Sequence, residues 1–441
     1  MSIFKAYDIR GIYPRELDEK LAYRIGASLV RLLDARSLVV GRDMRHSAPA
    51  IQHAIIEGIL DQGCDVFDIG LVSTPMAYYA IGKLQSDGGL STTASHNPPE
   101  YIGAKLCRKG AVPMSSDTGI RDLERMVEKE IPRASSRGEV RAADIREAYA
   151  RHIQSFMKPW SRRRVVIDTA NGMGGLEVPL VLEGRRVEWK GLFLDLDGSF
   201  PNHEANPLKD ENVQELRAEV LRQRADVGFA FDGDADRCCV LNEKGERVGA
   251  DLLTALLARE FLEKEPGAAI VYDLRSSRAV PEEIVRLRGR PIRERVGHSF
   301  IKATMRRENA PFAGELSGHF YFREHYFSDC ATLAMVSVLN LMEKEQRPLS
   351  EIVAPLRRFH SSGEVNFEVE DKDAKIEELA RRFQTAEQDR LDGITISCPD
   401  FWFNVRKSNT EPLLRLMLEA SSKEDLDRRF AELCGFLGDP L

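Results

Sequence analysis

Short β-branched apolar runs alternate along this chain with longer amphipathic stretches, a pattern that predicts repeated strand–helix units and a largely parallel sheet. Three places share one grammar, in which an apolar strand ends in a polar or acidic turn and a helix-like segment follows. They are Leu38-Val39-Val40-Gly41-Arg42-Asp43, Arg164-Val165-Val166-Ile167-Asp168-Thr169 and Ala269-Ile270-Val271-Tyr272-Asp273-Leu274. Successive copies lie more than a hundred residues apart, far beyond the period of a solenoid. The reading is one α/β design used three times.

Breaks in the pattern set the boundaries. The segment 133–138 is small and polar and precedes an amphipathic stretch at 144–157. Residues 243–247 read as a turn before a helix that Gly249-Ala250-Asp251-Leu252 begins. His360-Ser361-Ser362-Gly363 separates the third unit from a tail in which Val365, Phe367 and Val369 alternate with polar residues, as in a half-buried antiparallel strand. A helix is expected at 374–389, then strands at 393–397 and 413–419. The expected fold class is α/β, with similar mixed α/β domains at 1–141, 142–246 and 247–358 and a smaller α+β domain at 359–441.

Composition narrows the function rather than the fold. The 441 residues are 43% hydrophobic and 30% charged, which excludes disorder and fibrous classes. A net charge of −7 argues against a general nucleic-acid binder but leaves room for a small anionic substrate in a locally positive cleft. The seven cysteines form no C-x-x-C pair, which fits reduced thiols and a cytoplasmic setting. No apolar run approaches the ~20 residues of a spanning helix, so no membrane partner is expected.

Four segments can carry chemistry. In Ser91-Thr92-Thr93-Ala94-Ser95-His96-Asn97-Pro98-Pro99 a serine beside a histidine is braced by two prolines, as a stiffened nucleophile would be. Taken alone, it reads more readily as a Pro-terminated surface loop. In Phe231-Asp232-Gly233-Asp234-Ala235-Asp236-Arg237 three carboxylates at i, i+2 and i+4 follow an apolar strand. A flat strand would spread the outer two by about 13 Å, so they converge only in a curled loop, which Gly233 and Ala235 ease. A hard divalent cation is the natural counter-charge, and magnesium fits. An EF-hand is rejected because Arg237 stands where its glycine belongs, and a solvated acidic turn is the plain alternative. In Gly314-Glu315-Leu316-Ser317-Gly318-His319, Glu315 and Ser317 alternate and can face vicinal hydroxyls together, although a simple turn has the same composition. Finally, Arg406-Lys407-Ser408-Asn409-Thr410-Glu411-Pro412 offers a guanidinium fork and several donors to phosphate, or forms a polar hairpin loop.

Together and in this order, these motifs resemble the α-D-phosphohexomutase family over essentially the whole chain, from Tyr7-Asp8-Ile9-Arg10-Gly11 onward. Within it the chain is most similar to bacterial phosphomannomutase/phosphoglucomutase, since Leu316 stands where phosphoglucosamine mutases usually carry Gln. The resemblance implies four domains around a central cleft, each contributing one of the loops. Ser95 would be the phosphoserine, with His96, Arg10, Lys105 and Arg237 as further catalytic residues. Asp232, Asp234 and Asp236, with an oxygen on Ser95, would hold Mg2+. Tyr7, Arg275, His298, Glu315, Ser317, His319, Arg406, Ser408, Asn409 and Thr410 would bind substrate. Three positions depart from the family's pattern: Ile102 replaces a common Asn, Cys330 a small or acidic residue, and Arg275 a cleft Lys.

The implied reaction interconverts hexose 1-phosphate and hexose 6-phosphate of mannose or glucose, with the sugar 1,6-bisphosphate as intermediate and activator. A sugar phosphate is the only partner expected, and a monomer is expected. Three other readings compete: a phosphoglucosamine mutase, a haloacid-dehalogenase-like phosphatase using Asp232 as nucleophile, and a binding protein that has lost the chemistry. An intact Ser95 beside a complete acidic triplet argues against the last.

Overall fold

The computed structural model describes residues 2–408 and 413–441, and its strands form four sheets. Three sheets repeat one layout around a parallel centre. Ser37–Arg42 lies between Asp65–Leu71 and Gly88–Thr92. Arg164–Asp168 lies between Val227–Phe231 and Glu188–Leu192, and Ala269–Asp273 between Arg290–Glu294 and Phe312–Gly314. These central strands are the three β-branched runs seen in the sequence.

In each sheet one flanking strand is followed by an antiparallel return. Tyr101–Arg108 pairs back on Gly88–Thr92, Cys238–Asn242 on Val227–Phe231, and Phe320–Phe322 on Phe312–Gly314. The turns between them are the serine loop, the acidic loop and the Glu315 loop. Three of the four motifs therefore occupy one position of a repeated design. That position is the carboxyl end of a parallel strand, where open α/β sheets place their ligands.

The fourth sheet is wholly antiparallel, in the order His360–Phe367, Leu414–Ala420, Phe401–Lys407, Ile394–Ser397, Glu387–Asp389, with helices Lys372–Arg382 and Lys423–Leu437. Here the structure corrects two expectations. His360–Gly363 is not a separator but the first half of a strand. Its ladder to Leu414–Ala420 slips between Ser361 and Glu364, and this irregularity accommodates Gly363 at φ 67°. The helix expected at 374–389 stops at Arg382. Gln388 turns its amide back to the carbonyls of Ala380 and Phe383, satisfying the open end of the helix, and its own backbone joins the sheet edge. The expected boundary at 141/142 divides the strand Val140–Ala142 of the first sheet, and the one at 246/247 parts Arg247–Val248 from the second sheet it extends.

Apolar packing divides the molecule differently from the sheets. One continuous buried cluster runs from Val39 through Tyr149, Phe231 and Ala331 to Leu356, drawing on the first three sheets and their helices. The C-terminal sheet has its own core, from Phe367 to Leu437. Among the described residues no helix is long and apolar enough to cross a membrane.

Candidate active site

The acidic loop curls as its composition predicts. Ala235 takes a left-handed φ of 61°, and Asp232, Asp234 and Asp236 come together fully buried, with carboxylate oxygens within 4.8 Å of one another. Gly233 is needed for the approach of the serine loop, since a Cβ there would stand 2.4 Å from the Ser95 carbonyl oxygen. Ser95 is itself left-handed, at φ 51°, a conformation that costs a non-glycine residue energy and persists only where its surroundings hold it.

Each carboxylate has a distinct set of partners. Asp232 Oδ1 accepts the backbone N–H groups of Asp236 and Arg237, and its Oδ2 accepts Ser95 Oγ at 2.8 Å and Arg237 Nε at 2.9 Å. Asp234 Oδ2 accepts Thr74 Oγ1 at 2.5 Å and Lys105 Nζ at 2.7 Å. Asp236 Oδ2 accepts the same lysine ammonium. The remaining oxygens, Oδ1 of Asp234 and of Asp236, are buried with no hydrogen-bond partner among the described residues. Buried carboxylate oxygens without a hydrogen bond are costly; that of Asp236 lies 3.4 Å from the His319 ring, and the acidic set fits a hard cation.

Electrostatics within the cluster are strongly shifted. Burial raises Asp232 to about 7 despite Arg237. Burial opposes the charged form of Lys105, but Asp234 and Asp236 outweigh it and hold the ammonium above its ordinary range. His96 is driven well below its usual value by burial and by Arg237 and Arg10, so its Nδ1 accepts from Arg237. Arg10 reaches the serine loop by donating to Asn97.

The Glu315 loop closes the third side. Arg237 and His319 are bridged backbone to backbone, and Nε2 of His319 lies 3.4 Å from Asp236. Its Nδ1 meets Ser317 Oγ at 2.8 Å and Glu315 at 3.4 Å. The shared focus of Glu315 and Ser317 is thus His319, which Asp236 and Glu315 raise to about 9 against the effect of burial. Tyr7 packs edge-on to His298 at 5.5 Å, and the His298 and His319 rings stack at 6.4 Å. Arg275 is pinned by Asp273 and reaches Glu315 and Glu364 at 3.5 and 3.4 Å.

Arg406 differs from the sequence expectation of a phosphate fork on an open loop. Its side chain is buried, and Nη2 donates to Glu364 at 2.7 Å. Glu364 also meets Arg415 at 3.2 Å, so three arginines share one carboxylate. Ser408 is described, whereas Asn409 and Thr410 lie outside the described residues. Sequence reading missed Arg45, Thr74, Glu364 and Asp329, whose carboxylate clusters with Asp236 and His319 and pairs with Lys302 at 3.1 Å. Only Arg45 had a local signal, as a second charge two residues after the acidic turn Asp43.

An α/β scaffold here sets a buried serine on an acidic triplet, ringed by cations and facing a Glu–Ser–His loop, a donor set of the kind phosphoryl transfer uses. Family models described as phosphoglucomutase/phosphomannomutase match in register: alpha/beta/alpha domain I over 1–134, domain II over 147–245, domain III over 250–359 and the C-terminal domain over 364–435. The chain is 37% identical over 441 residues to the phosphomannomutase of Methanocaldococcus jannaschii, covering 98% of this chain and 97% of that one. It is 37% identical over 435 residues to the phosphomannomutase/phosphoglucomutase of Pseudomonas aeruginosa, covering 97% and 93%. A crystal structure of a phosphoglucomutase/phosphomannomutase family protein from Burkholderia thailandensis superposes with a TM-score of 0.92 at 33% identity, covering 99% and 97%. The chain belongs to the phosphoglucomutase/phosphomannomutase family of phosphosugar mutases.

Proposed function

We propose that this chain interconverts the 1- and 6-phosphates of glucose or mannose through a phosphoryl group carried on Ser95. The observation that carries the reading is the Ser95 hydroxyl, buried and hydrogen-bonded to Asp232, with Arg237 at 3.3 Å. In the first half-reaction the Oγ–P bond of phosphorylated Ser95 breaks as a free sugar hydroxyl oxygen bonds to phosphorus. The hydroxyl proton must leave. Lys105 is held charged by its carboxylates, whereas His298 has a buried Nδ1 without a hydrogen-bond partner among the described residues, so His298 is the acceptor with a free lone pair. The resulting 1,6-bisphosphate turns around and returns its other phosphoryl group to Ser95.

The work of the site is positioning and charge stabilisation, as phosphoryl transfer requires. Asp232, Asp234 and Asp236 would hold Mg2+, which when bound neutralises charge developing on the phosphoryl oxygens. Lys105, Arg237 and Arg10 add fixed positive charge, Glu315 and Ser317 take the ring hydroxyls, and Arg406 with its loop takes the phosphate that is not reacting. The Asp232-nucleophile reading has little support, because both of its oxygens are already engaged by four donors. All seven cysteines are free and five are buried, which supports a reducing, cytoplasmic setting.

The test is the chemical nature of the phosphoenzyme. Incubation with glucose 1,6-bisphosphate should label Ser95 with an acid-stable, hydroxylamine-resistant phosphoryl group, and Ser95→Ala should abolish both labelling and isomerisation. Turnover at wild-type rate in Ser95→Ala would sink the mechanism.

A further inference from the structure

We propose that Arg45 is a positioning residue that holds the Ser95 loop in its reactive shape by gathering the loop's carbonyl groups onto one guanidinium; the inference rests on Ser95 being the phosphoryl carrier. Arg45 follows the first central strand and is buried, with 1% of its surface exposed. Its Nη1 donates to the carbonyls of Pro98 at 2.7 Å and Tyr101 at 3.0 Å. Its Nη2 donates to those of Ser95 at 2.8 Å and Asn97 at 2.6 Å. Every terminal N–H of the guanidinium is therefore spent on one seven-residue segment, 95–101, which wraps around it.

The rest of the surroundings fix the arginine. Asp43 lies 3.4 Å from Nε and accepts the Arg45 backbone N–H at 3.0 Å. Phe200, from the second domain, places its ring 5.2 Å from the guanidinium carbon, a cation–π contact. The planar fork matters because it presents donors in fixed directions, whereas a lysine offers three N–H bonds on one point. The Ser95 carbonyl that Arg45 grips belongs to the residue strained into the left-handed region. Without that grip the backbone can relax toward negative φ, which would swing Oγ away from Asp232 and Arg237. Arg45 makes no hydrogen bond to Oγ or to the triplet carboxylates, and its four terminal hydrogen bonds all go to the loop.

Arg45→Met and Arg45→Lys test this, with Ser95→Ala alongside. Misplacement of a reacting group by about 1 Å costs on the order of 10²-fold in rate. We expect Arg45→Met to lower kcat by about that factor with KM near wild type and slower labelling of Ser95 by glucose 1,6-bisphosphate. Arg45→Lys should fall between, and low, non-denaturing guanidinium should restore part of the lost kcat in Arg45→Met. Wild-type kcat in either folded variant overturns the proposal. So does a rise in KM alone. If both variants fail to fold, Arg45 supports the domain rather than the loop, and the proposal is again overturned. An active Ser95→Ala would instead show that the mutase reading itself is wrong.

Discussion

Three of the site loops meet inside a shared core, while the fourth reaches them across a polar seam. The serine, acidic and Glu315 loops hang from sheets that each lend one face to a common cluster, while the other face of the first sheet packs in a core of its own with Leu90, Ile102 and Leu106. Moving one loop against another would therefore mean disturbing the common cluster. The C-terminal domain has a separate core and touches the others largely through ionic and carbonyl contacts. Arg278 donates to the carbonyls of Pro399, Cys398 and Phe401, Arg293 meets Asp389, and Arg275 meets Glu364. Polar contacts at a seam exchange with water at little net cost, unlike buried apolar area. The difference suits the reaction: transfer needs rigidity at Ser95, and turning the bisphosphate needs a binding arm that can part and re-dock.

The largest expected effect falls on the rigid side. Chelation of divalent cations should abolish turnover, and added Mg2+ should restore it, because the Asp234 Oδ1 that no hydrogen bond satisfies then regains a cation. Full activity after exhaustive chelation would mean that Lys105 and Arg237 balance the triplet alone. Next comes Lys105→Met, expected to lower kcat by about 10²–10³-fold, the scale for removing one preorganised charge-stabilising donor. A change in KM without loss of kcat would move Lys105 from the chemistry to the binding arm.

On the C-terminal side the signature should invert. Arg406→Gln should raise KM by about 10–100-fold, the equivalent of one charge-assisted hydrogen bond, with a much smaller loss of kcat. A collapse of kcat at unchanged KM would show that the two regions are not divided as the cores suggest. Arg278→Ala should loosen docking by about 1–3 kcal/mol, seen as an earlier, separate calorimetric transition for the C-terminal domain while the main transition stays in place.

What the sequence disclosed follows the same division between local and distant causes. The convergence of the Asp232–Asp236 triplet was legible because it lies in spacings of a few residues beside an apolar strand. The repeated α/β design was legible because each central strand is a β-branched run. Thr74, Asp329 and Glu364 were not, because their partners come from elsewhere in the chain: Thr74 meets Asp234 across 160 residues, and Glu364 meets Arg275 across 89. The polar edge strand Glu387–Asp389 has no alternation to betray it. It was read as helix because its hydrogen bonds to Ile394–Ser397 are set by the sheet and not by its own side chains.

The smallest effect separates the two regions by pH. His325 is fully buried where the first three domains join, stacked on Tyr79 and facing His152, with its Nδ1 3.3 Å from His152 Nε2 and with Tyr149 and Lys302 nearby. Burial, then the neighbouring His152, depresses it to about 3, against an ordinary value near 6.5. The unfolded chain therefore binds the extra proton first, so the stabilisation is complete above about pH 6.5 and declines as pH falls toward 3. At pH 5.5, one unit below the ordinary value, the loss is about 1.4 kcal/mol. The C-terminal domain holds only the exposed His360, so its transition should move less over pH 7 to 5.5. Calorimetry across that range should show the main transition falling faster than the C-terminal one, and His325→Gln should narrow the difference, the depressed His96, His152 and His298 supplying the rest. Parallel shifts of both transitions in the wild type would assign the acid sensitivity to carboxylates common to both regions.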